Sequence, residues 1–276
     1  MIYSVFALDL MWINAVRMFS SLTPEDRFGL ILLKKVIKVI WTTQCAVSQT
    51  TFYVMSHLGK VHDVFLKSKL SVEGATYLRR ITVLSTIVSW SIFGISSVML
   101  VYGIFFTDGF MDITLAPLQT YIASSNLLVP RIILYAVHFY LVGAHIFPQV
   151  MTFLLALFIS FRFRRVNGEL DRRLDADEGR VGDHEIDVIR RQHQEIAMSV
   201  SNIDDCLMLS NASAFCCQLV IVIVSLYTLI FYHSFMSTRV VVAALSVWMI
   251  FVFSGLSFTT AGGIMINHYV SESNAA

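Results

Sequence analysis

The sequence has 276 residues, a formal net charge of +1 and a mean hydropathy of +0.70. Charged residues make up only 14% of the chain, whereas a soluble globular domain carries roughly a quarter. This composition argues against a soluble enzyme and a basic nucleic-acid-binding protein, and it predicts an all-α, polytopic bundle of transmembrane helices over residues 1–276.

The first predicted helix lies in the amino-terminal segment 1–22, which is apolar but contains Asp9 and Arg17. No basic residue precedes the apolar run, so a cleavable signal peptide is not expected. We interpret the segment as a membrane helix, or as the end of a helix that begins before Met1.

Five later segments contain no Asp, Glu, Lys or Arg, and each is long enough to cross a bilayer, which takes about 20 residues. In hydrocarbon every backbone amide must be paired internally, so these segments are predicted to be helices, giving about six spans in all. They are Val39–Gly59, Ile81–Thr107, Ile132–Phe161, Cys206–Thr238 and Val240–Ser271.

The distribution of basic residues predicts the orientation, because Lys and Arg accumulate in cytoplasmic loops. The loop after the second span holds Lys60, Lys67, Lys69, Arg79 and Arg80, and the stretch after the fourth span is rich in arginine. The loops 108–130 and 233–238 contain no lysine or arginine. We therefore expect a cytoplasmic amino terminus, with Lys34, Lys35 and Lys38 as exceptions to the rule.

The cytoplasmic stretch 162–205 is predicted to be a helical loop with a turn near 175–185. In its second half, apolar residues recur at helical spacing and lead directly into the fifth span. Two interpretations remain open, namely packing on the neighbouring helix end and a contact between subunits. The positions of this stripe are Ile186, Ile189, His193, Ile196, Val200 and Ile203.

The sequence contains no recognisable catalytic, metal-binding or cofactor-binding motif, so we expect no enzymatic activity and no cofactor. No charged residue lies within the five later spans, which argues against a proton-coupled carrier or an ion pump. The four cysteines, Cys45, Cys206, Cys216 and Cys217, are expected to be free, buried thiols.

Aromatic and histidine side chains in the predicted outer halves of spans three to five could line a pocket for a small molecule. His138 and His145 share one face of span four, and Pro148 is expected to kink that helix. The alternatives are histidines that hydrogen-bond to neighbouring helices and an interfacial aromatic belt. The candidate pocket residues are Tyr102, Tyr135, His138, Phe139, His145 and Tyr227.

The last predicted span carries Gly255, Thr259 and Gly263 at steps of four residues. Small residues at this spacing let two helices approach closely. We expect this face to pack against another helix of the same subunit.

The region from span four to span five resembles the insect gustatory receptor and chemoreceptor superfamily, including its nematode members. An apolar helix ends in FRFRRVNGELDRRL, and Arg190, Arg191 and His193 precede Asn202 and the apolar pair Leu226-Tyr227. The resemblance implies a ligand-gated cation channel in the plasma membrane, a homo- or hetero-tetramer with a small-molecule pocket in each subunit. The family's last helix, with Thr-Tyr followed by Gln-Phe, would begin where this chain stops.

Two other classes of membrane protein compete with this interpretation. A serpentine G-protein-coupled chemoreceptor would suit six or seven helices, but the Asp-Arg-Tyr and Asn-Pro-x-x-Tyr motifs are absent and its amino terminus would lie outside. A transporter or structural membrane protein is disfavoured, because the later predicted spans contain no intramembrane charges and the sequence shows no internal repeat.

Overall fold

The computed structural model describes residues 2–23, 29–59, 72–106, 128–176, 183–231, 246, 248–250, 252–261, 263–264 and 268, and it is all-helical there. The helices are α1 (Ile2–Ser20), α2 (Leu30–His57), α3 (Val72–Phe106), α4 (Leu128–Ala176) and α5 (Asp183–Phe231). A shorter apolar helix, Trp248–Ala261, follows and is called the Trp248 helix. The predicted all-α class is confirmed.

Several sequence predictions concern segments outside the described residues. These are the basic loop 60–71, the loop 107–127, the turn 177–182, the link 232–245 and much of the sixth predicted span.

Three segments are long and apolar enough to cross a membrane, namely Thr76–Phe106, Leu128–Arg172 and Leu207–Phe231. Large apolar side chains on α3 and α5 point away from the protein, with Val98 69% and Ile223 63% exposed. Such outward-facing apolar surface is costly in water and favourable in lipid. These features suggest a membrane protein, as the composition predicts.

The helices α2 and α4 form the interior of the bundle. Within its most apolar window α4 is 67% buried, compared with 22% for α3 and 28% for α5. The helix α2 packs against α1, α4 and α5, while α3 packs on the side of α4. Although α2 is 28 residues long, it carries buried polar side chains, and it is not among the three strongly apolar segments.

The main apolar core lies where α2, α4 and α5 meet. Cys45 and Ala46 of α2, Leu141 of α4 and Ile221 of α5 are all 0% exposed. The Trp248 helix joins this core through Val252, which is also fully buried. Close packing of these small and branched side chains fixes the three helices at short distances from one another.

The carboxyl-terminal part of α4 and the amino-terminal part of α5 form a paired helical extension. Each helix has 49 residues, which is about 74 Å at 1.5 Å per residue, while the hydrocarbon layer is only about 30 Å thick. Ile189, Ile196 and Ile203 of α5 are buried in one cluster with Phe158 and Phe163 of α4. From Ile189 to Ile203, the predicted stripe therefore packs on the neighbouring helix end.

The cysteines follow the prediction only in part. Cys45, Cys216 and Cys217 are free thiols, and Cys45 is buried. Cys216 is exposed and Cys217 is half-buried, because consecutive residues point about 100° apart on a helix and only one direction faces the core. The expectation of burial was wrong for Cys216.

Candidate functional site

A group of polar side chains lies inside the apolar bundle where α2, α4 and α5 meet. All of them are 7% exposed or less, so protein groups rather than solvent surround them. We call this group the polar cluster. Its members are Gln44, Ser48, His145, Gln149, Ser210 and Gln218.

His145 stands at the centre of the polar cluster and bonds on both sides of its ring. Its Nδ1 lies 2.5 Å from Oε1 of Gln44 on α2, and its Nε2 lies 3.3 Å from Nε2 of Gln149. A carbonyl oxygen only accepts and an amide NH₂ only donates, so Nδ1 must carry the hydrogen and Nε2 must accept. This arrangement requires a neutral His145, because in a protonated ring the Nε2–H would point at the amide NH₂ of Gln149, which is also a donor.

The hydrogen bonds continue from Gln44 to the helix α5. Nε2 of Gln44 donates to Oγ of Ser48 at 3.2 Å, and Oγ of Ser210 donates to the same oxygen at 3.1 Å. A continuous hydrogen-bonded chain therefore links α4, α2 and α5. Such bonds contribute modestly to the stability of membrane helices, but they fix the relative position of the three helices.

The other end of the polar cluster lies beneath the Trp248 helix at Gly255. A Cβ atom at this glycine would come within 2.6 Å of Nε2 of Gln218 and still closer to Oε1 of Gln149. The two amide groups thus occupy the space that a side chain would need. The predicted close approach is confirmed at Gly255, whereas a Cβ at Gly263 would meet nothing within 4 Å.

Gln218 is the member of the polar cluster with unsatisfied hydrogen bonding. Its side chain is 0% exposed, and neither Oε1 nor Nε2 has a hydrogen-bond partner among the residues that the structure describes. A buried amide without partners costs about 1–3 kcal/mol of stability. Gln218 is therefore a buried amide whose donor and acceptor are both unused within the described part of the chain.

A second unsatisfied donor, the indole N–H of Trp41, lies close to the cluster. The Trp41 ring centroid is 6.5 Å from that of His145, 6.1 Å from that of His138 and 5.7 Å from that of Trp248. Trp41 itself is only 5% exposed. Aromatic rings, two imidazoles and free polar groups are therefore assembled between α2, α4 and the Trp248 helix.

The structure brings His138 and His145 to this region, facing α2. His145 hydrogen-bonds to a neighbouring helix, as one of the two alternatives predicts. The Nδ1 atom of His138 lies 3.0 Å from the carbonyl oxygen of Leu134 in its own helix.

The four remaining candidates lie elsewhere. Phe139 and Tyr135 face α3, with ring centroids 4.6 Å from Phe93 and 6.5 Å from Phe105, respectively. Tyr102 is 41% exposed and stacks on Phe106. The ring centroids of Tyr227 and Phe231 lie 4.7 Å apart. These contacts place the six candidates against different neighbours, and a role for them in ligand binding stays a prediction.

Surface clefts lie elsewhere on the bundle, beside α3. One, of about 410 Å³, lies between α2, α3 and α4 and includes Gln49, Trp90 and Pro148. The other, of about 420 Å³, lies on α3 beside Arg79 and Arg80. Within the described part of the chain, no group of three or more His, Cys, Asp or Glu side chains is placed to hold a metal ion.

Sequence reasoning missed Gln44, Gln149 and Gln218, the amides that build the cluster. The available signal was their position, since amide side chains within charge-free spans are costly in hydrocarbon and are retained when they are paired or functional.

No protein-family model matches this sequence, and no curated protein or solved structure shows significant similarity to it.

Proposed function

We propose that the protein is a chemosensory receptor of the plasma membrane, a multi-pass helical bundle that binds a small uncharged polar molecule. The proposal combines the sequence resemblance to gustatory receptors with the chemistry of the bundle interior. It includes a cytoplasmic amino terminus, about six spans and assembly as a homo- or hetero-oligomer that conducts cations.

The polar cluster is the observation that supports this function best. Polar groups in the interior of membrane bundles are costly and mark binding sites or ion pathways by default. Gln218 offers an unpaired donor and an unpaired acceptor, and Trp41 supplies a further donor and an aromatic wall. Because no ionised side chain belongs to the cluster, it suits a neutral molecule with hydroxyl or amide groups better than an ion.

The long paired extension of α4 and α5 supports a signalling role for the same bundle. Its two helices run without interruption from the polar cluster to the charged residues at the end of α4 and the start of α5. A shift of α5 at Gln218 would therefore be transmitted along a stiff helix to Ile203 and Ile196, which pack on α4.

The test is to express the full chain in oocytes and record cation currents while applying sugars, polyols and small amides. Gln218→Leu removes the amide but keeps the side-chain size, and Gln194→Leu is the matched control on an exposed position of the same helix. Loss of a hydrogen bond of about 1–1.5 kcal/mol predicts a response weakened roughly tenfold in Gln218→Leu. Gln194→Leu should respond like the wild type.

Two results would contradict the proposal. A surface-expressed protein that gives no current with any of these compounds would remove the channel interpretation. A response that requires G proteins, together with an extracellular amino terminus, would favour a serpentine receptor instead.

A further inference from the structure

A pair of arginines lies at the amino-terminal end of the first membrane-length segment, Thr76–Phe106. Arg79 and Arg80 are both exposed, and neither makes an ion pair or a hydrogen bond with any residue that the structure describes. Both line the same cleft of about 420 Å³ on the outer side of α3.

Apart from Thr76, the other residues that line this cleft are apolar, and they continue along the helix. Val83, Leu84 and Ile87 line it, and they are 51%, 62% and 58% exposed. They follow Arg80 at intervals of three, four and seven residues, so they share its face of the helix. The stripe from Arg80 to Ile87 is about 10 Å long.

We propose that this face of α3 binds an anionic phospholipid. The two guanidinium groups bind the phosphate and the acidic part of the headgroup, while Val83, Leu84 and Ile87 lie along the first part of an acyl chain. The proposal rests on the membrane-length α3 helix and is independent of the receptor function.

Charge and depth favour this occupant. Planar guanidinium groups bind phosphate oxygens in pairs, and basic residues next to a membrane span attract anionic lipids of the cytoplasmic leaflet. An acidic protein segment would satisfy the arginines, but it would leave the adjoining apolar stripe in contact with charged side chains. A phospholipid satisfies both parts of the cleft at once.

The experiment measures which lipid stays bound. The full chain is extracted from vesicles of phosphatidylserine and phosphatidylcholine with identical acyl chains, and retained lipid is quantified by native mass spectrometry. Wild type should retain phosphatidylserine preferentially. Each basic residue near the membrane surface contributes about 1 kcal/mol of attraction to anionic lipid. Replacing both Arg79 and Arg80 by Gln should therefore lower this preference about 30-fold, whereas replacing both by Lys should preserve most of it.

A matched control and a soluble competitor separate the alternatives. Arg190→Gln with Arg191→Gln removes an equally exposed arginine pair from α5 outside the apolar segment, and it should leave retention unchanged. An equal loss in this control, or no loss in the Arg79 and Arg80 double variant, overturns the proposal. So does equal competition by soluble glycerophosphoserine, because that result would assign the site to a free phosphate compound.

Discussion

Replacing Gln218 by Leu should make the protein more stable and less responsive at the same time. Gln218 is fully buried, and both of its polar side-chain atoms lack partners within the described part of the chain. An apolar residue of similar volume removes the cost of a desolvated, unpaired amide, which is about 1–3 kcal/mol. The neighbouring Gln149 keeps its hydrogen bond to His145, so the substitution leaves that part of the polar cluster intact.

Thermal unfolding in lipid nanodiscs measures this effect. A gain of about 1–3 kcal/mol raises the midpoint by roughly 2–4 °C per kcal/mol for a chain of this size. Gln44→Leu is the opposing variant, because it removes the partner of both His145 and Ser48 and should destabilise by about 1–3 kcal/mol. A Gln218→Leu protein that unfolds at a lower temperature than the wild type would refute the reasoning, since Gln218 would then have a stabilising partner.

Two further pairs of substitutions test the packing. Gly255→Ala should destabilise the docking of the Trp248 helix by about 1 kcal/mol, because the amides of Gln149 and Gln218 must move. Gly263→Ala should be neutral, or should stabilise the protein by up to about 1 kcal/mol through helix propensity. Thermal unfolding distinguishes the two variants, and equal effects would contradict the assigned contact at Gly255. Phe163→Ala should lower the free energy of unfolding by about 3–5 kcal/mol and speed hydrogen exchange over residues 189–203. Met198→Ala, at an exposed position of α5, should change neither quantity. Unchanged exchange in Phe163→Ala would show that this cluster does not hold the extension together.

The helices themselves were largely predictable from the sequence. Absence of charge over more than 20 residues marks the apolar parts of α3, α4 and α5, and the isoleucine spacing from Ile189 to Ile203 marks the face of α5 that packs on α4. These predictions succeed because both the membrane and the helical period impose regular patterns on the sequence.

The polar cluster could not be predicted, because its members come from three helices distant in the sequence. Gln44 and His145 are separated by 101 residues, and the sequence of neither segment indicates which face of α2 packs against which face of α4. The neighbours of the aromatic candidates depend on packing in the same way, since Tyr102 stacks on Phe106 and Tyr227 lies beside Phe231. The depth of a residue in the membrane follows from its position along one apolar segment, whereas its contacts with other helices depend on how the segments pack.

The membrane position of α4 is the basis of the whole account, and glycosylation mapping tests it most directly. The natural sequon at 211–213 is first removed by Asn211→Gln, and a new sequon is then inserted either into the loop 107–127 or into the loop 177–182. If α4 crosses the bilayer with the predicted orientation, only the sequon in 107–127 will be glycosylated. Glycosylation at both positions, at neither, or only within 177–182 would contradict the account.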